Sequence, residues 1–297
     1  MSWRAIQDDE TERVAAFLAG EEERLTGEPS IVGEPDVASW LTRVELRTDS
    51  WLLEEDGAIA ALGWADVHGE IGVAIGAVAV TERGRGLGSE LVHRTERRLL
   101  ALGCLRVHAV TLAADDAAPA LFAAHGYREV RRFWDMGIEL AGDPALAVVP
   151  DGMSVARFAE ADARPFHAAL EEAFSDHWEH APQPFDEWWD AKRAAPDYDP
   201  TLWFLVRDGD EVAAVVRNDP NRHGGGYVGA LGVRRAWRGR GLGRALLQES
   251  FREFHRRGMP RATLGVDAEN PTGATALYES VGMRVISETV VYEKALA

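Results

Sequence analysis

The hexapeptide Arg-Gly-Arg-Gly-Leu-Gly occurs twice, at residues 83–88 and 238–243. Each copy follows an apolar, strand-like run, "IGVAIGAVAV" or "GYVGALGV", and opens a helical pattern with one apolar face. Glycines here let the backbone turn tightly and let a ligand approach with no side chain in the way. The first amides of a helix have no internal partners, and the helix dipole places partial positive charge at that end. A turn of this kind suits a pyrophosphate. Arg234, Arg235, Arg238, Arg240 and Arg244 crowd the second copy, in a chain whose formal net charge is −17.

The repeat extends well past the turn. Arg83 and Arg238 lie 155 residues apart, and the pairs Leu121/Leu277 and Gly126/Gly282 lie 156 apart. A repeat of that length holds a whole domain, and 297 residues suit two domains of ordinary size. In the second half "MSVARF" reads as a strand, and "EADARPFHAALEEAF" and "FDEWWDAKRAA" as helices. "TLWFLVRDGDEVAAVVRN" reads as two strands around a turn at Asp208-Gly209-Asp210. A strand, a helix ending at Gly258, the strand "RATLGVD", a short helix and a last strand follow. The first half repeats the order from a strand at "WRAIQ" onward. The Gly-, Pro- and Ala-rich stretch 141–152 marks the expected join, giving domains 1–143 and 151–297.

Composition narrows the partners. With 46% hydrophobic and 27% charged residues the chain reads as globular. The acidic excess argues against nucleic acid or an anionic membrane as the main partner. No apolar run approaches the roughly 18 residues of a membrane helix. The N-terminal stretch has no apolar signal core, and Cys104 is the single cysteine, so a reducing cytoplasm is expected. A dinucleotide fingerprint needs G-x-G-x-x-G and a P-loop needs Lys after its last glycine; here the spacing is G-x-G-x-G, followed by Ser89 or Arg244. His177 and His180 have no third His or Cys nearby in sequence, so no metal is expected.

Arg-x-x-Gly-x-Gly after a strand, a further strand, then Asn before a helix carrying Leu-Tyr and Gly-Met, resembles the GCN5-related N-acetyltransferases. The resemblance covers nearly the whole chain as two tandem copies. Val233, Arg238, Gly241, Gly243, Asn270, Leu277, Tyr278 and Gly282 carry it in the second. It implies an α/β (α+β) fold of two domains, each a mixed, mostly antiparallel sheet flanked by helices, and acetyl-CoA as donor. The pyrophosphate would sit on the amides of Arg238, Gly239, Arg240, Gly241, Leu242, Gly243 and Arg244, with Asn270 nearby. The pantetheine arm would run beside Leu231, Gly232 and Val233. Tyr278 would protonate the leaving thiolate. In the first half Val78, Val80, Arg83, Gly84, Arg85, Gly86, Leu87 and Gly88 form a candidate second site. There Phe122 replaces the tyrosine, Asp115 stands near the Asn270 position, and the connection counted from Val80 to Arg83 is shorter. The first domain is therefore expected to keep the fold without efficient chemistry.

The expected acceptor is a primary amine of a small molecule. The resemblance to tandem members with an active second half implies a glutamate on the strand before the turn, and Tyr227 stands there instead. Asp176, His177, Trp178 and Glu179, with His180, Trp188 and Trp189, form a candidate acceptor region suited to a cationic or sugar-like group. Asp267 is a candidate base acting through water. Rival expectations are a CoA-binding sensor without turnover and transfer of a different acyl group.

Overall fold

A computed structural model describes residues 2–296 other than Pro196 and Pro271. In the first repeat, α1 (Thr11–Thr26), α2 (Glu34–Leu41) and the single turn α3 (Leu46–Asp49) precede the strands β1 (Ser50–Glu55), β2 (Ala58–His68) and β3 (Ile71–Val78). Then come α4 (Leu87–Ala101), β4 (Arg106–Leu112), α5 (Ala118–Ala124) and β5 (Arg128–Glu139). The second repeat has β6 (Met153–Arg157), α6 (Ala163–Phe174), α7 (Phe185–Ala194), β7 (Phe204–Asp208), β8 (Glu211–Arg222) and β9 (Gly225–Val233). It ends with α8 (Leu242–Arg256), β10 (Arg261–Asp267), α9 (Ala274–Ser280) and β11 (Arg284–Ala295). The expected "WRAIQ" strand shrinks to one bridge, Arg4 to Leu52. None of the described helices is long and apolar enough to cross a membrane.

The compact units do not follow the cut between 143 and 151. The first comprises 1–134, 267–269 and 287–297, and the second 135–266 and 270–286. The last strand of each repeat therefore serves the other repeat's unit over much of its length. In the first unit β1, β2 and β3 pair antiparallel, β3 runs parallel to β4, and β11 closes on β4 from Thr289↔Leu112 to Ala295↔Arg106. In the second, β6 to β9 pair antiparallel, β9 runs parallel to β10, and β10 neighbours β5. There Met136 is buried, and the Leu140 amide donates to the Pro260 carbonyl at 2.8 Å. Each repeat has the same hydrophobic periodicity, so nothing local in the sequence distinguishes a strand that returns to its own repeat from one that leaves it.

Helices cover both faces of the second unit's sheet. On one face, a Cβ placed on Gly226 of β9 would lie 2.4 Å from the ring of Phe254 in α8. On the other, a Cβ on Gly232 would lie 2.9 Å from Ala173 of α6. Residues 226 and 232 have the same parity yet face opposite ways, because β9 carries a bulge. Its ladder to β8 runs Arg217↔Ala230 and then Asn218↔Val228, leaving Gly229 as the extra residue. Asn218, fully buried, fastens β8 at this point by donating to the Leu202 carbonyl at 2.7 Å and to Ser250 of α8 at 2.9 Å.

The exchange of strands makes residues 151–297 an incomplete unit. That fragment lacks 135–139 and carries 287–295, whose partner strand β4 is absent. It is expected to show no cooperative thermal transition by circular dichroism, while the full chain does. A cooperative melt from the fragment would contradict the assignment of these strands.

Candidate active site

Both turns have one backbone. Gly84 and Gly86 hold φ of 77° and 82°, and Gly239 and Gly241 hold 75° and 81°, all in the left-handed region that glycine adopts without strain. The third glycine acts differently. A Cβ on Gly243 would meet Leu277 of α9 at 2.9 Å, and one on Gly88 would meet Leu121 of α5 at 3.0 Å. This glycine lets the helix after the turn press on the short helix that follows in each unit. The strand-to-turn connection is also equal in both units. Val78 and Val233 end β3 and β9, each five residues before the first arginine of its turn, so the shorter connection counted from Val80 is corrected.

The charge on the two turns differs. Arg83 makes a two-pronged bond to Asp115 at 2.8 and 2.9 Å, and Arg85 is bound by Glu55 and Glu82. The first turn's arginines are thus neutralised by carboxylates within their own unit. In the second turn Arg238 donates to the carbonyls of Val233 and Ala173 at 3.3 and 3.4 Å, with Asp176 at 3.9 Å. Arg240 donates to the Ala236 carbonyl, and Arg244 to the carbonyl and hydroxyl of Ser280. Apart from Asp176, which lies at ion-pair distance from Arg238, these oxygens are neutral, so the charges of Arg240 and Arg244 remain at the start of α8. Asn270, where the first unit has Asp115, accepts from the Thr272 amide at 2.8 Å.

The parallel strands beside each turn differ too. In the first unit β3 and β4 pair over five positions, from Ile71↔Arg106 to Ile75↔Val110. In the second, β9 and β10 pair only at Gly226↔Ala262 and Tyr227↔Thr263. Among the described residues no strand pairs with that edge of β9 beyond Tyr227, so Leu231, Gly232 and Val233 leave backbone groups facing a gap. Tyr278, on α9, is buried beside this gap. Burial, with a smaller contribution from Tyr227, pushes its phenol up to about 12. It stays protonated throughout the neutral range. The first unit has Phe122 at the equivalent point, packed on Tyr127 and Tyr292.

The acetyltransferase (GNAT) family model matches residues 15–127 and 163–283, once in each repeat. The chain belongs to this family. It is 34% identical over 257 residues to the mycothiol acetyltransferase of Thermomonospora curvata, a match covering 83% of this chain and 82% of that protein. It is 33% identical over 184 residues to the mycothiol acetyltransferase of Catenulispora acidiphila, covering 60% of this chain and 58% of that protein. The crystal structure of a GCN5-related N-acetyltransferase from Sphaerobacter thermophilus superposes with a TM-score of 0.88 at 31% identity, over 99% of this chain and 95% of that one. The protein is a tandem GNAT acetyltransferase.

Several acceptor candidates lie elsewhere than expected. Asp176 faces the phosphate side, where its bond to Arg235 at 2.8 Å holds its carboxyl below the usual range. His177, Trp178 and Glu179 belong to the connection between α6 and α7, with His177 against the ring of Phe174. Trp188, buried, and Trp189, half-buried, make ring contacts with Phe158, Phe166, Phe185 and Trp203. Asp267 groups with the first unit, clamped by Arg131 at 2.7–3.0 Å. Tyr227 does face the gap. It sits on the side of β9 away from α8, with Arg217 and Asp219 of β8 on the same face. Asp135 of β5 also reaches this point, and sequence reasoning passed over it because it lies in the other repeat.

Gly243→Val tests the packing role of the third glycine. Overpacking against Leu277 is expected to cost about 1–3 kcal/mol and to lower the melting temperature by several degrees. An unchanged melting temperature in calorimetry would show that α8 and α9 do not depend on this close approach.

Proposed function

We propose that the second unit transfers acetyl from acetyl-CoA to a primary amine of a small molecule, and that the first unit keeps the fold without turnover. The observation that carries this reading is the early divergence of β9 and β10 beside a turn where Arg240 and Arg244 bond only neutral oxygens. The pyrophosphate would lie on the amides of 239–243 under Arg238, Arg240 and Arg244. The pantetheine arm would bond along Leu231, Gly232 and Val233 as an added strand. A donor held there brings its thioester to the gap where Tyr278 and Tyr227 converge, which sets the reacting atoms in place before the amine arrives.

The chemistry needs a neutral amine and a protonated leaving group. The amine lone pair attacks the thioester carbon, the C–N bond forms, the C–S bond breaks, and sulfur leaves with a proton. Tyr278 is the donor for that proton. Its raised phenol is a weaker acid than an ordinary thiol in water. The same burial that raises the phenol raises a thiolate formed beside it, which narrows the difference. In the first unit this position is Phe122, β3 stays paired with β4 as far as Ile75, two positions beyond the equivalent of Tyr227, and Asp115 occupies Arg83. All three differences oppose donor binding or transfer there. The mycothiol acetyltransferase relatives make an amine-bearing small molecule the natural acceptor class, and the net charge of −17 favours a cationic one over a nucleic acid.

Tyr278→Phe removes only the hydroxyl. Acetyl transfer, followed as thiol release, is expected to fall about 10²–10⁴-fold in kcat while acetyl-CoA affinity holds. A variant with the wild-type rate would remove Tyr278 from the reaction.

A further inference from the structure

Gly265 of β10 lies between two polar groups. A Cβ built on it would fall 3.2 Å from the Tyr227 hydroxyl and 3.7 Å from a carboxylate oxygen of Asp135. Gly265 is exposed, and Tyr227 and Asp135 are each half-buried, so this cluster opens to solvent at the gap between β9 and β10. Asp135 comes from β5, the last strand of the first repeat, and is the first residue of the second compact unit. The corresponding positions of the first unit are apolar. Val73 pairs with β4 as Tyr227 pairs with β10, Val110 stands for Gly265, and Val291, opposite Val110 in the β4–β11 ladder, stands for Asp135. With Phe122 for Tyr278, four positions carry this difference between the two units, and all four sit around the gap.

We propose that Asp135, acting through the Tyr227 hydroxyl, accepts the proton that the acceptor ammonium must lose, so that the first repeat supplies the acid–base partner of the second unit's active site. This rests on the acetyl-transfer reading above. An N–H bond of the ammonium breaks and its proton passes to the Tyr227 oxygen. The Tyr227 proton passes in turn, through a bridging water, to the Asp135 carboxylate. The phenol ends unchanged, the carboxylate is protonated, and the amine lone pair is free to attack. Burial and the Asp135 charge both hold the Tyr227 phenol up, so it relays a proton without resting as a phenolate. The other titratable and charged groups facing the pair are Arg217, Asp219 and Arg222 on β8, His223 just beyond it, and Tyr278 on α9. The Arg222 guanidinium sits 5.6 Å from the centre of the Tyr227 ring, and the His223 ring 5.1 Å from it edge-on. Gly265 keeps the path open, and the carboxylate absent from β9 is supplied instead from β5.

The test uses the full chain, with L-alaninamide as a model α-amine and thiol release as the readout between pH 6 and 10. Asp135→Asn keeps the shape and removes the proton acceptor. Its kcat/KM is expected to fall about 10²-fold at pH 7. The loss should shrink tenfold per pH unit towards the pKa of the amine, which deprotonates unaided near 8. Tyr227→Phe should give the same profile, and both variants should bind acetyl-CoA with wild-type affinity in calorimetry. A profile for Asp135→Asn that runs parallel to wild type at every pH would overturn the proposal, as would a Tyr227→Phe profile unlike it. A wild-type chain that binds no acetyl-CoA would overturn the acetyl-transfer reading itself, and that outcome is separable because it precedes any comparison of variants.

Discussion

The active site depends on one extra residue in one strand. Gly229 lengthens β9 by a single position relative to β8, and that shift reverses which residues face α8 beyond it. Before the bulge Gly226 lies under Phe254, and Tyr227 points to the open face. After it Leu231 and Val233 turn towards α8 and Gly232 towards α6. The same bend takes β9 away from β10 after two paired positions. At the bulge a Cβ would fall 2.4 Å from the Arg217 guanidinium and 2.5 Å from the Asp219 carboxylate, so glycine lets these two side chains lie across the strand. The first unit shows the alternative. The β2–β3 ladder runs from Ala61↔Val78 to His68↔Ile71 without a shift, and β3 stays with β4 for five pairs. Two units built on one plan, with one turn sequence, differ in that β9 is bulged and β3 is regular.

The exchange of last strands explains why both repeats share a chain. A degenerate first repeat would be dispensable if each repeat folded alone. Here the second unit needs 135–139 to cover the far edge of β10, and the first needs 287–295 to cover β4. An exposed edge of either strand would offer unpaired backbone groups to other chains. The exchange also brings Asp135, a residue of the first repeat, close to Tyr227 in the second unit.

Much of this was legible in the sequence. The repeat, the element order and both turns followed from apolar periodicity and from glycine placement, which are local properties. So did the role of Phe122 as a substitute for Tyr278. Long-range features were not legible. A strand pairs by backbone groups common to every sequence, so nothing in "REVRRFWDMGIE" announces a partner in the other repeat. The bulge adds one residue inside a glycine-rich strand, and the landmarks that carry the repeat, from Arg238 onward, all lie after it. The tryptophans of α7 read as part of an acceptor region, but Trp188 is buried in the core and Trp189 packs half-buried beside it, because an aromatic cluster near a binding site has the same composition as one that packs. Asp176 reads as an acceptor residue and Asp267 as a candidate base, but each has an arginine partner distant in sequence.

Acetyl-CoA titrated into the full chain by calorimetry, with a bulky residue placed in either turn, tests the account most directly. A single site per chain is predicted, abolished by Gly241→Phe and retained in Gly86→Phe. Two sites of similar affinity, or one that survives Gly241→Phe and is lost in Gly86→Phe, would contradict the claim that strand divergence and unneutralised arginines confine donor binding to the second unit.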